Sequence, residues 1–298
     1  MKSLIRSALR NTTKIPLIKN TLRALSSKGM VSPRLMIRLP IEGAFSVSIN
    51  QAENFLYSAS YGDGVGRMLH WGGAGGFEPE TIALFDKLAR NAKIFADIGA
   101  NTGHFSLYAC AVNPDLQIYS FEPVPRTFQA HSKNLELNSL QTRCHPQNMA
   151  MGTQDGEVSF HVPYDDVPTS ASLNQQGFND IPGDLITVPI TRFDTFFKDK
   201  TPPDLIKIDV EGFEDKVLEG MQGLFEANYR PLIIFESNPG GPEEQIDSIL
   251  KSLGYELFHL QKTGPKKADK LYSEPKAHHE RNWLAVPAGQ MENLKLAA

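Results

Sequence analysis

Three acidic residues stand at the carboxyl ends of predicted β-strands. Asp97, Glu122 and Asp209 each end or follow a short apolar run. Lys207 lies in the same run as Asp209, and a charge in a buried strand is costly unless it is paired or bound to a ligand. Open α/β sheets bind ligands beyond the carboxyl ends of their strands. Carboxylates accept hydrogen bonds, so this pattern suits a ligand with a cationic amine and vicinal hydroxyl groups.

The bend after Asp97 contains Gly99 and Gly103, with Asn101 between them, and an apolar periodic segment follows at 105–112. Glycines let a ligand lie close to the main chain, and the N–H groups at a helix start favour polar or anionic groups. The spacing is G-x-x-x-G, which differs from the dinucleotide fingerprint, and no phosphate-binding G-K-[ST] is present. An ordinary strand-to-helix connection would show the same glycines.

The elements that must position these residues alternate between strand and helix. The predicted strands are 94–98, 117–121, 141–151, 156–162, 185–191, 205–210, 231–236, 255–260 and 281–286. The predicted helices are 79–90, 105–112, 125–138, 214–218 and 243–253. Pro189 favours an edge position for its strand. The alternation predicts an α/β fold with a doubly wound sheet, and a long loop between the fourth and fifth strands is of a kind that is often functional.

Composition and the pattern of apolar residues indicate the cellular compartment of the protein. The 298 residues are 41% hydrophobic and 21% charged, which is ordinary for a globular protein. No apolar run approaches the roughly 18 residues of a membrane span, and no signal-peptide h-region follows the N-terminal charges. Two cysteines are too few for a disulfide framework. We therefore expect a reducing, cytoplasmic location and neither a secreted precursor nor an integral membrane protein.

Charge is unevenly distributed along the chain. Residues 1–41 carry nine basic side chains and no acidic one, which leaves residues 42–298 with a formal net charge of −13. The acidic body argues against nucleic acid as a partner. Residues 1–28 contain two amphipathic patterns and suggest peripheral contact with an anionic membrane face, although packing on the body or a mitochondrial transit peptide would fit as well. Residues 35–70 predict a small β-rich prelude.

Four motifs in this order resemble the FkbM family of S-adenosylmethionine-dependent methyltransferases. They are DIGANTG at 97–103, FEP at 121–123, KIDVEGFE at 207–214 and RPLIIFE at 230–236, and the resemblance covers about residues 78–260. It implies the class I methyltransferase Rossmann-like fold, with a seven-stranded, mostly parallel sheet whose last strand is antiparallel, after an N-terminal extension. It also implies S-adenosyl-L-methionine as cofactor and O-methylation of a hydroxyl on a sugar, a glycan or a secondary metabolite.

The resemblance further implies a domain over residues 71–298, preceded by the segment 1–70, and roles for individual side chains. The implied cofactor-binding residues are Asp97, Gly99, Asn101, Gly103, Glu122, Asn148, Met149 and Asp209. The glycine bend would pass beneath the methionine part, and Glu122 would bind the ribose hydroxyls. Asn148 and Met149 would border the adenine, and Asp209 would lie near the amino group and the methyl.

A hydroxyl that accepts a methyl group must lose its proton, which calls for a general base within hydrogen-bond reach. The candidates, in order, are Asp209, Glu211 and His104. Each residue also has an interpretation without a role as base. Asp209 would only bind the cofactor, Glu211 would cap the next helix, and His104 would lie on the surface at a helix start. Ser170 and Ser172, with an alanine between them, resemble a serine pair common in the family's substrate-side loop.

Three other functions use the same pattern. A nicotinamide-dependent oxidoreductase has the same sheet and an acid after the second strand, but the missing middle glycine argues against it. A non-catalytic nucleoside-binding module would keep the fold without the chemistry. In a metal-dependent methyltransferase, Asp209, Glu211 and Glu236 could supply oxygen ligands. In the metal-free interpretation, Glu236 is a further strand-end carboxylate that could face the acceptor.

Overall fold

A computed structural model of the chain describes residues 21, 25, 39, 41–164, 182–238, 240–272 and 281–294. The proposed membrane-contacting segment, apart from Thr21 and Leu25, lies outside the described residues, and so do Ser170 and Ser172. Among the described residues, no helix is both long enough and apolar enough to cross a membrane.

The predicted β-rich prelude is a two-stranded antiparallel hairpin of β1 (Gly43–Ser48) and β2 (Asn54–Ala59). Helix α1 (Gly64–Gly72) follows, and the carboxylate of Asp63 caps it by accepting from the N–H of Gly66 at 2.7 Å. Helix α1 runs across residue 70, where the sequence suggested a domain boundary. The division into two segments stays a prediction.

The other strands and helices follow in alternation. The strands are β3 (Ile94–Ile98), β4 (Gln117–Phe121), β5 (Cys144–Gln147), β6 (Ala150–Met151), β7 (Gly156–Pro163), β8 (Gly183–Thr191), β9 (Leu205–Ile208), β10 (Leu232–Glu236), β11 (Tyr255–Gln261), β12 (Gly264–Ala268) and β13 (Asn282–Pro287). The helices are α2 (Pro79–Ala89), α3 (His104–Val112), α4 (Pro125–Leu137), α5 (Phe193–Phe196), α6 (Glu214–Glu219), α7 (Gln222–Glu226) and α8 (Glu243–Ser252), with 3₁₀ turns at Ala74–Gly76 and Met291–Leu294.

The main sheet has the strand order β12-β11-β13-β10-β9-β3-β4-β5. Strands β5, β4, β3, β9 and β10 are mutually parallel, and β13 is antiparallel to both of its neighbours. This is the predicted mostly parallel sheet with an antiparallel last strand. It contains one more strand than the seven predicted, because the chain turns back after Gln261 and pairs β12 with β11 at the edge.

A second, three-stranded sheet stands beside the first, in the order β6-β8-β7. The single strand predicted at 141–151 is therefore wrong: it is split between the two sheets, because the chain leaves the main sheet after Gln147 and pairs again at Ala150. Strand β6 pairs with β8 only through Ile190 and Thr191. Strand β8 is therefore the central strand of this sheet, and the edge position predicted for it is wrong, although the pairing with β6 begins only at Ile190, one residue after Pro189.

The main sheet is covered on both faces. In β9, Leu205 packs in one core cluster with the hairpin, α2 and α3, whereas Ile206 packs in a second cluster with α6 and α8. Ile234 and Ile233 of β10 divide between the same two clusters. Strands buried on both faces have nearly continuous apolar sequences, and for that reason a polar residue such as Lys207 is conspicuous in β9.

Candidate active site

A cavity of about 390 Å³ lies at the carboxyl ends of β3, β4, β9 and β10. The structure brings Asp97, Glu122 and Asp209 together in its wall. These side chains come from the ends of β3, β4 and β9, which are adjacent in the sheet although β9 is far from the other two in the sequence. The carboxyl ends of parallel strands meet at one edge of the sheet, and this edge is where α/β folds place their ligands.

The bend after β3 lies directly against the end of β9. Gly99 has φ 81°, and a Cβ atom at this position would lie 1.8 Å from the carbonyl oxygen of Asp209. The backbone N–H groups of Gly99 and Ala100 both donate to the carbonyl of Phe121, at 2.9 and 3.0 Å. The bend is thereby fixed between the ends of β9 and β4, and only glycine fits at its first position.

Gly103 makes the transition from the bend to α3. It has φ 91°, and a Cβ there would lie 2.3 Å from the ring of His131. Its N–H donates to the carbonyl of Ala100 at 2.9 Å. Asn101, with φ 49°, lines the cavity, whereas Gly103 is not among the lining residues. Gly103 therefore shapes the loop without forming the cavity wall.

Glu122 ties the bend to the end of β4. Its Oε2 atom accepts from the N–H of Asn101 at 3.0 Å, and its Oε1 atom accepts from the N–H of Val124 at 2.9 Å. Each carboxylate oxygen can accept a second hydrogen bond. Burial raises the pKa of Glu122 to about 7. The carboxyl group thus combines a fixed position with spare capacity to accept hydroxyl groups.

The two residues predicted to border an adenine occupy different positions. Asn148 donates its amide to the carbonyls of Glu122 and Pro123, at 2.8 and 2.9 Å, and is not among the residues that line the cavity. Met149 lines the cavity together with Met151 and Phe160. Asn148 therefore holds the end of β4 in place, while the apolar wall comes from the residues after it.

Lys207 carries the buried positive charge of the cavity floor. It is 2% exposed, lies opposite Asp97 in the register of β9 and β3, and donates to Asp209 Oδ2 at 2.7 Å. Its Nζ atom stands 4.4 Å from the centre of the Phe105 ring. Burial alone would lower the pKa of Lys207, but the carboxylates of Asp209, Glu78 and Asp97 outweigh burial and raise it. Lys207 was absent from the predicted site, although its charge in an apolar run was a visible signal.

A group of three carboxyl groups lies beside Lys207 in the wall of the cavity. Asp209, Glu211 and Glu236 place oxygen atoms within 4.8 Å of one another, close enough to hold a cation. Burial and the neighbouring Asp209 and Glu214 raise the pKa of Glu211 to about 8. Burial, Asp209 and Glu211 raise the pKa of Glu236 to about 10. Glu211 and Glu236 therefore hold protons near neutral pH, where an exposed glutamate would be ionised.

A family model described as Methyltransferase FkbM domain matches residues 97–257, which is more than half of the chain. The chain belongs to the FkbM methyltransferase family. Its strand order is that of the class I methyltransferase Rossmann-like fold, with an additional edge strand and an N-terminal extension. The match begins at Asp97, at the end of β3, and ends within β11.

Several known proteins are similar to this FkbM family member. Methyltransferase sdnD of Sordaria araneosa is 24% identical over 189 residues, covering 54% of this chain and 73% of sdnD. The hexuronic acid methyltransferase AglP of Haloferax volcanii is 24% identical over 175 residues, covering 58% of this chain and 67% of AglP. The solved structure of a SAM-dependent methyltransferase from Agrobacterium tumefaciens has a TM-score of 0.43 and 10% identity, covering 82% of this chain and 70% of that one.

Two charged residues from outside the FkbM match also line the cavity. Glu78, with φ 45°, immediately precedes α2 and accepts from the amide of Asn282 at 3.1 Å. Burial raises the pKa of Glu78 to about 7. Arg281 precedes β13 and donates to Asn238 at 2.6 Å. The pairing of β10 with β13 brings Arg281 to the cavity, and Glu78 is joined to the same strand through Asn282, so neither residue has a local signal in the sequence.

His104 is buried, and the alternative that it lies on the surface is wrong. It is 3% exposed, lines the cavity and lies among the rings of Phe55, Phe77 and Phe105. The hairpin and the chain before α2, whose packing has no sequence signal, provide this cover. Burial and the charge of Lys207 lower the pKa of His104 to about 3. The ring is therefore neutral at pH 7 and only weakly basic.

Proposed function

We propose that the chain is an S-adenosyl-L-methionine-dependent O-methyltransferase that acts on a hydroxyl group of a sugar, a glycan or a secondary metabolite. The observation that carries this proposal is the convergence of Asp97, Glu122 and Asp209 with the bend at 99–103 in one cavity. Membership of the FkbM family supports methyl transfer. The name of AglP, a hexuronic acid methyltransferase, supports a sugar-like acceptor.

The residues of the cavity fit the parts of this cofactor. Glu122 has two oxygens that can accept from ribose hydroxyls in addition to their backbone donors. Met149, Met151 and Phe160 supply an apolar wall suited to the adenine. The bend from Gly99 to Gly103 would hold the methionine part.

The charge at the cavity floor also fits. Asp97, Asp209 and Glu78 surround Lys207, so three carboxyl groups share one buried cation. A ligand with a sulfonium and an ammonium group would supply the positive charge that Lys207 alone does not. Asp97 accepts from the hydroxyl of Ser106 at 2.7 Å, which fixes its carboxylate beneath the bend.

When bound, the cofactor supplies a methyl group as an electrophile on sulfur, and the chain must position the acceptor hydroxyl and remove its proton. We assign the base to Glu211, because its pKa of about 8 makes the ionised carboxylate a strong base near neutral pH. Lys207 holds Asp209 beside it as a second acceptor for the hydroxyl. His104, with its lowered pKa, would be a poorer base.

Calorimetry and methyl transfer test this function together. We expect the protein to bind S-adenosylmethionine and S-adenosylhomocysteine, and to label a product when incubated with methyl-labelled cofactor and an extract of its native host. Asp209→Ala should abolish labelling, and near-normal activity in that variant would remove Asp209 from the mechanism. Binding without transfer to any acceptor would indicate a nucleoside-binding module. Absorbance of a reduced nicotinamide in the purified protein would indicate an oxidoreductase.

The N-terminal charge supports a location beside a membrane. The nine basic residues within 1–41 suit contact with anionic lipids at a cytoplasmic face, where a lipid-linked glycan would be accessible. A chain lacking residues 1–28 should therefore bind less to vesicles that contain anionic lipid. Unchanged partitioning would contradict the membrane contact and leave the methyl transfer proposal intact.

A further inference from the structure

The two cysteines of the chain lie against each other in the core. Cys110 in α3 and Cys144 at the start of β5 have their Sγ atoms 3.1 Å apart, and both are free thiols. They are 4% and 1% exposed, respectively. Neither is among the residues that line the cavity. The methyl transfer proposed above gives this pair no role.

The surroundings make the two thiols chemically different. Arg143 donates to the backbone carbonyls of Cys110 and Asn113, at 3.1 and 2.9 Å, and so places a positive charge at the end of α3. The hydrogen bond with Cys144 lowers the pKa of Cys110, and Arg143 acts in the same direction, against burial. The same hydrogen bond and burial raise the pKa of Cys144. Cys110 is therefore the better nucleophile of the two.

We propose that Cys110 and Cys144 are an intramolecular disulfide site that closes when the protein meets hydrogen peroxide or another small hydroperoxide. The two sulfurs must approach by about 1 Å to reach the length of a disulfide bond. Formation of this bond requires no rearrangement of the sheet order, because each cysteine already lies in its own rigid element.

The chemistry occurs in two steps. The Cys110 thiolate attacks one peroxide oxygen, the O–O bond breaks, and the products are a sulfenic acid on Cys110 and, after proton transfer, water. The Cys144 sulfur then attacks the Cys110 sulfur, the S–O bond breaks, and a second water leaves with the Cys144 proton. Two thiols are oxidised by two electrons in total, and one hydrogen peroxide is reduced to two waters.

The disulfide would connect α3 and β5, two elements that adjoin the proposed cofactor site. Helix α3 begins directly after Gly103, and β5 pairs with β4, whose end carries Glu122. A disulfide removes freedom from the unfolded chain, and the loop between these cysteines is long enough for a clear effect. We expect oxidation to raise the thermal midpoint by on the order of 5–10 °C.

Intact mass spectrometry of the full chain tests the proposal. Treatment with hydrogen peroxide should remove the mass of two hydrogen atoms from the wild type, and dithiothreitol should restore it. Only two cysteines are present, so this loss in a monomer identifies the bond without peptide mapping. Cys144→Ser, the matched control, should gain one oxygen atom or stay unchanged, and its thermal midpoint should not rise with peroxide. Cys110→Ala is the second control if the serine variant folds poorly.

Three results would overturn the inference. One is a wild-type protein whose two thiols gain oxygen atoms, or do not react, under conditions where the thiols of the same chain unfolded in guanidinium lose their two hydrogens. Another is a disulfide found between chains on a non-reducing gel. The third is a thermal midpoint that rises with peroxide as much in Cys144→Ser as in the wild type. None of these results bears on binding of S-adenosylhomocysteine, so the proposed methyltransferase function is judged separately.

Discussion

At the scale of single residues, the cavity depends on how several carboxyl groups divide their protons. Lys207 holds Asp209 at 2.7 Å, and Glu211 and Glu236 lie close to the same carboxylate. Burial and mutual repulsion place the pKa values of the two glutamates at about 8 and 10. Similar side chains in one small volume thus receive different chemical roles from their surroundings.

Glu211→Gln tests the proposed base. The amide keeps the size of the side chain and cannot take a proton, so kcat should fall by roughly 10²–10⁴-fold while S-adenosylhomocysteine binding stays unchanged. The wild-type rate should rise with pH through about 8, the pKa of Glu211, because the base must be ionised. Glu226→Gln in α7 is the exposed control and should behave as wild type. Equal pH profiles for wild type and Glu211→Gln would reject the assignment.

Lys207→Met tests the buried cation. The variant leaves Asp97 and Asp209 without their counter-charge, so the free energy of unfolding should drop by roughly 3–5 kcal/mol in denaturant titrations. The double variant Lys207→Met with Asp209→Asn should recover part of the loss, because it removes a charge that the single variant leaves uncompensated. The single variant Asp209→Asn completes the cycle, and a double variant whose loss of stability equals the sum of the two single losses would mean that the pair contributes no coupling energy.

Removal of metal ions distinguishes two possible roles of Asp209, Glu211 and Glu236, which are proton transfer and metal binding. We expect turnover to survive dialysis against excess chelator, because Glu211 and Glu236 hold protons near neutral pH and those protons compete with a cation. The measurement is initial rate before and after chelation, with added Mg²⁺ as the control. Activity lost with chelator and restored by Mg²⁺ would make the trio of Asp209, Glu211 and Glu236 a metal site.

At the scale of elements, the bend between β3 and α3 requires glycine at position 99, because the backbone there has a positive φ and lies against the end of β9. Gly99→Ala would place a methyl group against the Asp209 carbonyl and would strain a residue at φ 81°. The free energy of unfolding should fall by at least ~1–2 kcal/mol, and cofactor binding should be lost in calorimetry. Gly72→Ala is the matched control, since no atom of the described residues lies within 4 Å of its added methyl. Normal binding by Gly99→Ala would show that the bend can adjust.

Strands β3, β4, β9 and β10 of the parallel core could be predicted because each is a largely apolar run between turn signals. The carboxylates at the strand ends followed from the same pattern. Three features could not be predicted in this way. The break of the third strand at Asn148 depends on bonds to Glu122 and Pro123, strand β12 depends on a hairpin register, and Glu78 reaches the cavity through Asn282 of the distant β13. The first and the third depend on contacts between segments that are not neighbours in the sequence, and the second depends on a turn with no clear signal of its own.

At the scale of the whole molecule, the buried ionisable groups predict how stability depends on pH. The carboxyls of Glu78, Glu122 and Glu214 have pKa values of about 7, and those of Glu211 and Glu236 are higher, against 4.5 for an unfolded glutamate. Between these values the folded state holds more protons than the unfolded state, so stability falls as pH rises. His104 acts at lower pH: its pKa is lowered from 6.5 to about 3, so it reduces stability as pH falls below 6.5.

The thermal midpoint of the cofactor-free protein should therefore decrease steadily from pH 6.5 to about pH 9. Saturating S-adenosylmethionine should flatten this decrease, because its positive groups stabilise the ionised carboxylates. Glu236→Gln should flatten it without ligand, since it removes the group with the highest pKa of this set. Differential scanning fluorimetry across the pH range makes the comparison. A midpoint that rises over this interval would contradict the assigned protonation states.

The cavity wall is completed from both flanks of the FkbM match. Glu78 lies before residue 97 and Arg281 after residue 257, yet both face the same cavity as the matched carboxylates. Chimaeras that exchange these flanks between relatives should therefore transplant selectivity for the methyl acceptor while the nucleoside half of the pocket stays as it is.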